Sequence, residues 1–457
     1  MIQSQLFNFT SWIKHILTRT RQSGGRTKDL LLGSGMMAMS NIVATVSRVG
    51  LISLLTRIYT KEEFGLWISI TSIAVVMTNS DFGIGNALRN KLVGCRIKKD
   101  GDNEAREYFF SVIYCFTILA ILISLLIFIF RNHIPYEYLF KTDDQSLKTS
   151  GRNSLLWTQI LLLLSVPLGI GPMMFFAFQE TKIAALQNII TSIIGAFTIG
   201  IAALLNQSIT ITAILYFSVN LICVFIGTLY FVYRRQWYSF YIKDIRLAIL
   251  RVWALLTEGV VYFALQISMA FLFNAVTLIS TSQIGLAEAS ELNLSQKLYA
   301  LGLGIYLSLQ NPIWAGFSDA ITRKDWHWCK TTTLRIIYIT IPIFAIATLI
   351  LTFCGNTLLK ALAGKNYVCS KWLFFSMGIW TLSWLLYNTS IPFLSAIGKV
   401  KMITLLSAIF SILLFQIAPY FAKNYGNIGI TITSAVLFAL LALAAYTQTF
   451  NIKKKNT

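Results

Sequence analysis

Charged residues are scarce in this chain: Asp, Glu, Lys and Arg make up 12% of its 457 residues, while hydrophobic types make up 56%. A soluble chain of this length divides into two or three domains with charged surfaces, and this composition does not supply such surfaces. Its mean hydropathy is +0.67. The composition therefore excludes intrinsic disorder, disfavours a soluble enzyme and predicts a polytopic integral membrane protein.

Sequence motifs for enzyme chemistry are also missing. The chain has no G-x-x-x-x-G-K-[ST] loop for nucleotide phosphates, no H-E-x-x-H metal motif and no G-x-S-x-G nucleophile elbow. Its six cysteines are scattered without a C-x-x-C pair, and its three histidines lie far apart, which argues against a metal site. We predict a protein that is not an enzyme and has no cofactor, driven by a proton or sodium gradient or by downstream consumption of its product.

Hydrophobic runs fill most of the sequence. A membrane-spanning helix needs about 20 mostly apolar residues, and the chain offers twelve such segments. The predicted spans are 31–57, 64–86, 108–130, 154–178, 183–205, 209–233, 255–281, 292–314, 332–354, 372–394, 402–422 and 428–450. The predicted fold class is an all-α polytopic membrane protein with twelve transmembrane helices.

Basic residues indicate the orientation. The net charge is +20, which in a soluble protein would point to nucleic acid. Here the basic residues lie mostly between the apolar runs, so we predict no nucleic-acid partner. With both termini on one side, 25 basic residues fall on that side and 10 on the other. The positive-inside rule then places both termini in the cytoplasm.

The spans divide into two halves of six. The predicted units are a basic N-terminal segment, an N-terminal bundle, a basic cytoplasmic linker, a C-terminal bundle and a basic tail, at 1–30, 31–233, 234–254, 255–450 and 451–457. The apolar residues of the N-terminal segment recur at helical spacing, which favours an interfacial amphipathic helix. A plain basic tail is the equal alternative.

A local pattern recurs in both halves. Pro167 and Pro172 lie in the fourth span and Pro392 in the tenth, each before a turn with a lysine, Lys182 or Lys399. Six spans per half predict two bundles related by a pseudo-two-fold axis along the membrane normal, with a central cavity. Transporter sites tend to lie at such interfaces near broken helices, so the three prolines are hinge candidates. The alternative is chance, because Gly and Pro are frequent in membrane helices.

Basic residues within the spans are the substrate-binding candidates, because a charge there costs about 2.5–3.5 kcal/mol on insertion scales. Arg48 lies nine residues from the end of the first span, about 13 Å deep, and its guanidinium suits phosphate oxygens. The alternative is a buried ion pair with an acid. Lys297 lies near the start of the eighth span, where snorkelling is an equal explanation. Arg57 and Arg89 lie near span ends.

Two acids are the candidates for ion coupling. Asp81 lies near the C-terminal end of the second span, where the helix dipole disfavours a carboxylate, and Arg89 is a nearby compensating base. Glu258 lies at the start of the seventh span, where the dipole favours it and no function is required. Either acid is suited to relay a proton or bind sodium.

Two segments of the first half resemble a known family. Residues 57–67 read RIYTKEEFGLW and residues 81–89 read DFGIGNALR. With the Gly398–Lys399 turn and the twelve spans, they resemble the polysaccharide-exporting branch of the multidrug/oligosaccharidyl-lipid/polysaccharide (MOP) exporter superfamily, and within it the Wzx-type O-antigen flippases. The run Ser47-Arg48-Val49 is similar to the first-helix arginine motif of the related lipid II flippases.

The resemblance implies a function and its partners. Such proteins move an undecaprenyl-diphosphate-linked oligosaccharide from the inner to the outer leaflet of the bacterial inner membrane by alternating access. Arg48 is the leading candidate to bind the diphosphate and Lys297 is the second candidate. Arg57 and Arg89 would lie at the rims of the cavity. The implied partners are this lipid-linked oligosaccharide, membrane lipids, a polysaccharide polymerase and a chain-length regulator.

Three other functions explain parts of the sequence. A multidrug extrusion transporter of the same superfamily would more typically use acids within the membrane, whereas the deepest charge here is basic. A membrane polymerase or glycosyltransferase would need a catalytic loop, and the longest external connection, near 131–153, is too short. A scaffold protein would leave Arg48 unexplained.

Overall fold

The protein is built from helices. The computed structural model describes residues 26–78, 83–95, 101–134, 136–178, 180–238, 244–364 and 367–456, and no strand occurs in these ranges. In chain order the α-helices are α1 (Arg26–Ile58), α2 (Lys61–Thr78), α3 (Ile84–Cys95), α4 (Gly101–Ile129), α5 (Gln145–Ala177), α6 (Thr181–Leu204), α7 (Ile209–Arg234), α8 (Ile245–Gln283), α9 (Leu286–Thr322), α10 (Trp326–Ala363), α11 (Lys371–Ala396) and α12 (Lys401–Asn456), with a 3-10 helix at Tyr136–Leu139.

Side-chain caps fix where several helices begin. Asp144, Asp244 and Asp325 accept backbone N–H bonds in the first turns of α5, α8 and α10. Ser208 and Ser370 do the same for α7 and α11. Each cap satisfies an N–H group that a helix start leaves unpaired and contributes about 1 kcal/mol. A short polar residue between two apolar runs therefore sets each of these boundaries.

Helix α12 is a hairpin of two helices. Gly426 interrupts it with a positive φ of 59°, which an L side chain rarely adopts. Gln448 Nε2 donates to the carbonyl oxygen of Lys399 at 2.8 Å, so the part after Gly426 runs back beside the part before it. The two final predicted spans, 402–422 and 428–450, lie on these two parts.

Pro172 interrupts the hydrogen bonding of α5. Because proline lacks an N–H, the carbonyl of Leu168 one turn earlier loses its helical donor. Thr228 of α7 donates its hydroxyl to that carbonyl, and Gly171 leaves the space that the Thr228 side chain fills. Without water, a spanning helix has to satisfy such a group from a neighbouring helix, so this contact fixes α7 against α5.

The three hinge candidates all lie inside helices, with Pro167 and Pro172 in α5 and Pro392 in α11. Their role as hinges stays a prediction.

The same pairs of helices pack together in the two halves of the chain. With α3 taken as a continuation of α2, the fourth helix packs on the sixth, the first on the fifth and the third on the fourth in each half. Within α12, Ser411 before Gly426 donates to the carbonyl of Ser268 on α8 at 3.0 Å. Thr431 after it donates to the Ser376 hydroxyl on α11 at 2.8 Å. The part before Gly426 therefore packs as the fifth helix of the second half, and the part after it packs as the sixth.

Eight of the described helices are long and apolar enough to cross a membrane, and α12 among them holds two predicted spans. The three other predicted spans lie on α2, α9 and α11. Most of the residues of α2 and α11 are buried by neighbouring helices, so these helices need fewer apolar groups toward lipid. The chain is a multi-pass membrane protein. Twelve crossings, the two-fold axis and the unit boundaries stay predictions, and residues 245–254 of the predicted linker lie within α8.

Gly65→Ala is predicted to destabilise the contact between the two halves. A Cβ at Gly65 on α2 would overlap the backbone carbonyl of Leu286 at the start of α9, and backbone cannot rotate away as a side chain can. Overpacking of this kind costs about 1–3 kcal/mol. We expect a lower midpoint in a thermal-aggregation assay of the detergent-solubilised protein.

Gly50→Ala is the matched control, because a Cβ at Gly50 on α1 meets no atom within 4 Å. Equal midpoints for the two variants would contradict the predicted close approach of α2 and α9.

Candidate functional site

Arg48 lines a polar cavity between α1, α6 and α7. The cavity has a volume of about 200 Å³. Its lining offers one cation, two amides and four hydroxyls, from Ser47 and Arg48 on α1, Asn188, Thr191 and Ser192 on α6, and Tyr216 and Asn220 on α7. These groups suit an anion with further hydrogen-bonding oxygens.

Helical spacing and small residues bring these groups to one place. Asn188 and Ser192 lie four residues apart and therefore share a face of α6. Asn188 Nδ2 donates to Ser40 Oγ on α1 at 3.3 Å, which joins the two helices beside the cavity. The Tyr216 ring packs edge-on against Trp67 of α2 with centroids 5.9 Å apart, so α2 supports the phenol beside the cavity.

Lys297 of α9 adds a second cation near Arg48. The charge of Arg48 acts on Lys297, and Lys297 is half-buried. Helices α1 and α9 approach each other close by, where a Cβ on Gly304 would lie 4.0 Å from Oγ1 of Thr45. Among the described residues, neither cation forms an ion pair with an acid. Two like charges within apolar helices favour an anionic ligand between them.

Lys297, Arg57 and Arg89 are not among the described residues that line this cavity. Arg57 is exposed in the last turn of α1, with its Nη2 3.5 Å from the carbonyl oxygen of Ala361 on α10. Arg89 is half-buried on α3. Asp81 lies outside the described residues, and so does the side chain of Glu258 on α8. The structure therefore brings together the two leading candidates, and the roles of all six residues stay predictions.

The two halves of the chain meet at one end of the molecule, which we call the predicted outer end. Lys61 Nζ at the start of α2 lies 3.0 Å from Glu291 Oε1 near the start of α9. The same ammonium lies over the ring of Tyr367, 5.6 Å from its centroid. Lys141 Nζ donates to the carbonyl of Gln283 at 2.8 Å. These contacts join residues of the first half, Lys61 and Lys141, to residues of the second half at the ends of α8 and α9 and before α11.

Buried polar groups continue this contact below the ion pair. The hydroxyls of Ser69 on α2 and Thr281 on α8 lie 2.6 Å apart. The Cys369 thiol, in the connection before α11, lies 3.5 Å from the carbonyl of Glu291. Burial, together with the charge of Glu291, raises the pKa of the Cys369 thiol to about 12. The predicted outer end is therefore closed in this structure.

The polar residues of α6 and α7 were not selected as site residues from the sequence, although their spacing could have identified them. Asn188 and Ser192, and Tyr216 and Asn220, are each four apart on otherwise apolar helices, so each pair shares one face. The pair of Lys61 with Glu291 has no comparable signal, because its partners lie 230 residues apart in the chain.

The chain is similar to known transporters in both sequence and fold, although no family model matches it. It is 22% identical over 425 residues to a Salmonella typhimurium protein named "Putative O-antigen transporter", across 93% of this chain and 96% of that protein. Its fold is similar to lipid II flippase MurJ in an inward closed conformation, with a TM-score of 0.67 and 16% identity over 92% of this chain and 87% of the flippase.

A multidrug resistance transporter of the MATE family, in an inward-facing conformation, shares the fold with a TM-score of 0.65 and 11% identity over 92% of this chain and 94% of its own. The protein thus has the fold of MOP superfamily transporters, which confirms the resemblance drawn from its sequence. The proteins that it resembles are transporters and flippases rather than enzymes.

Lys61→Glu is predicted to make the Cys369 thiol more reactive. At pH 8 a thiol with a pKa near 12 is ionised in about one molecule in ten thousand, against about a quarter for a free cysteine. Placing Glu opposite Glu291 replaces an attraction of up to about 1 kcal/mol by repulsion. In the closed state, loss of the Lys61 charge raises the pKa of the Cys369 thiol further, so the gain in reactivity comes from opening. The closed end should open more often, and we expect alkylation at Cys369 to rise about five-fold, measured on its peptide by mass spectrometry.

Lys360→Glu, an exposed charge reversal in the last turn of α10, is the control and should leave the rate unchanged. Combining Lys61→Glu with Glu291→Lys should restore slow alkylation. Equal rates in the Lys61 and Lys360 variants would contradict a closing role for the ion pair.

Proposed function

We propose that this protein is a flippase for an undecaprenyl-diphosphate-linked oligosaccharide, an O-antigen or related surface polysaccharide unit, in the bacterial inner membrane. The observation that carries the proposal is the approach of Arg48 and Lys297, one from each half of the chain, with no acid partner among the described residues. A diphosphate group supplies the negative charge that this pair lacks. The similarity to a protein named as an O-antigen transporter and to a lipid II flippase supports the same substrate class.

An unpaired anion is costly inside a membrane. A charge moved from water into a low-dielectric region costs several kcal/mol unless it is paired. Each hydrogen bond to a charged group contributes about 1.5–3 kcal/mol, and arginine offers such bonds in a fork that fits phosphate. Arg48, with Lys297 nearby, would therefore offset much of the cost of carrying the diphosphate across the membrane.

The size of the cavity limits which part of the substrate it takes. Pockets for whole small-molecule ligands usually measure about 300–1,000 Å³, and the cavity beside Arg48 measures about 200 Å³. It suits a phosphate group with a few neighbouring hydroxyls rather than an entire oligosaccharide. We propose that the sugars occupy the space between the two halves and that the polyprenyl chain stays in lipid.

Alternating access is the proposed mechanism. The equivalent helix pairing in the two halves supports two six-helix bundles related by a pseudo-two-fold axis. The contacts of Lys61 with Glu291 and of Lys141 with Gln283 join those halves at one end. In the proposed cycle they separate, so that the substrate, bound from the opposite side, is released at the predicted outer end.

The remaining parts of the proposal rest on the sequence. The excess of basic residues on one side supports cytoplasmic termini. Coupling to a proton or sodium gradient is proposed, with Asp81 and Glu258 as the candidate acids. A polysaccharide polymerase and a chain-length regulator are the proposed protein partners, since they act on the product.

A multidrug extrusion transporter is the second candidate, because a transporter of that kind shares the fold. It would be expected to bind cationic or neutral compounds. Two mutually repelling cations with no acid partner among the described residues oppose a cationic ligand, which favours the flippase.

Arg48→Ala is predicted to slow transport of the lipid-linked oligosaccharide strongly. Loss of one charged contact of about 1.5–3 kcal/mol corresponds to a ten- to hundred-fold slower step. In cells that depend on this gene, we expect complete repeat units to accumulate on the inner leaflet and surface polysaccharide to fall below about a tenth. Arg48→Lys, which keeps the charge but not the fork, should retain part of the activity, and Lys297→Ala should have a smaller effect.

Lys360→Ala, at an exposed site away from the cavity, is the control, and all variants are compared at equal protein levels. Normal polysaccharide with altered sensitivity to cationic drugs would overturn the flippase proposal in favour of drug extrusion. Repeat units that reach the outer leaflet but never polymerise would point to a membrane enzyme instead.

A further inference from the structure

Several polar side chains that line the cavity beside Arg48 have no hydrogen-bond partner within the described part of the chain. They lie on three mostly apolar helices and share one space of about 200 Å³. In the described ranges no hydrogen bond is formed by the side chains of Ser47, Thr191, Ser192, Tyr216 and Asn220. Polar groups within apolar helices are normally paired, because an unpaired group costs free energy. These groups therefore point to a ligand with hydrogen-bonding atoms of its own.

Asn188 is oriented so that its amide oxygen is left to accept. The Ser40 hydroxyl donates its single proton to the carbonyl oxygen of Met37 at 2.9 Å, so it can only accept from Asn188. Asn188 Nδ2 is the donor in that contact, at 3.3 Å. No described residue donates to the amide oxygen on the other branch of the side chain. Asn188 therefore brings an acceptor to the cavity, and this acceptor needs an N–H or O–H group.

Asn220 supplies a second acceptor from α7. Its amide forms no hydrogen bond to any described residue, and an amide oxygen can accept but never donate. An ionised phosphate diester has only acceptor oxygens, so it can pair with Arg48 and the hydroxyls but not with the two amide oxygens. The ligand that suits the whole lining therefore combines an anion with hydrogen-bond donors.

Arg48 shows where the anion lies relative to the cavity. Its charge acts both on Lys297 of α9 and on the Tyr216 phenol of α7, so its guanidinium lies near the second half and near the cavity. Gly195 of α6 gives the phenol its room, since a Cβ there would lie 3.1 Å from Cε2 of Tyr216. A group joined directly to a phosphate at Arg48 would therefore reach the hydroxyls and amides of the lining.

We infer, on the basis of the proposed function, that this cavity binds the sugar ring joined to the diphosphate, with Asn188 and Asn220 as specificity-determining residues. Ring hydroxyls both donate and accept, as the lining requires. The cavity of about 200 Å³ has roughly the volume of six or seven water molecules, which suits one ring. The later sugars of the unit stay between the two halves. A ring that presents no donor to the amide oxygens leaves them unpaired and is disfavoured.

The test compares undecaprenyl diphosphate with the same lipid carrying only the first sugar, purified from cells blocked in addition of the second. Binding to the purified full chain in detergent is measured from the rise of the thermal midpoint with lipid concentration. We expect the unaltered chain to bind the sugar-bearing lipid about tenfold more tightly, because neutral hydrogen bonds are added. Arg48→Ala should weaken the binding of both lipids.

Asn220→Leu separates recognition from structure. Leucine is of similar size and removes an amide that has no partner among the described residues, so the empty protein should be at least as stable as before. The preference for the sugar-bearing lipid should fall about five-fold, with binding of the bare lipid unchanged. A merely structural role of Asn220 would instead lower the midpoint and both affinities together.

Thr191→Val and Thr198→Val form a matched pair on α6. Thr191 lines the cavity, whereas Thr198 lies about two turns further along the helix and donates its hydroxyl to the carbonyl oxygen of Ile194 at 2.9 Å. Thr191→Val should reduce the preference for the sugar-bearing lipid. Thr198→Val should leave both affinities unchanged.

Equal affinity for the two lipids in the unaltered chain, or a preference that survives both Asn220→Leu and Thr191→Val, would overturn the inference. The proposed function would still stand if Arg48→Ala weakened both lipids, and it would fail as well if Arg48→Ala weakened neither. If a variant fails to fold, the unaltered chain decides by photo-crosslinking. A diazirine on the first sugar should label peptides around Ser192 and Asn220, and labelling confined to the second half would overturn the proposed site.

Discussion

Two positive charges, Arg48 on α1 and Lys297 on α9, lie close enough to repel each other among helices whose other side chains are mostly apolar. Such an arrangement raises the energy of the empty protein and lowers that of a complex with an anion. It also constrains the helices around it. The Asn188 amide donates to the Ser40 hydroxyl, and Trp67 packs on Tyr216, so the polar wall is held by all the helices that build it. Under the proposed function, an anion would enter a site that is already formed.

The placement of the two cations links binding to the relation between the halves. Arg48 belongs to the first half and Lys297 to the second, so an anion held by both would draw the halves together at that level. At the predicted outer end the halves are held by different chemistry, an ion pair of half-exposed side chains backed by hydroxyl contacts. Exposed ion pairs contribute about 1 kcal/mol or less. An end closed by such contacts opens at low cost, as a transport cycle requires.

Several features of the fold were predictable because they depend on local properties of the chain. Apolar runs of about 20 residues give spanning helices, and capping residues such as Asp144 and Ser370 mark where helices begin. The two final predicted spans separate where Gly426 breaks the helix. The site was predictable in part: Arg48 and Lys297 were selected because a charge in an apolar run is costly. The amides and hydroxyls beside them were not selected, since single polar residues are common in buried helices and cost little when hydrogen-bonded.

By itself, the sequence determined that this is a helical membrane protein with two basic residues within its predicted spans, because hydrophobicity and charge act residue by residue. Only the tertiary structure decided that these bases approach each other, that Glu291 meets Lys61 across 230 residues of chain, and that Asn188 and Asn220 line one cavity with Arg48. Each depends on how helices from distant parts of the chain pack. Packing follows from side-chain shape over the whole interface, and no single segment carries that information.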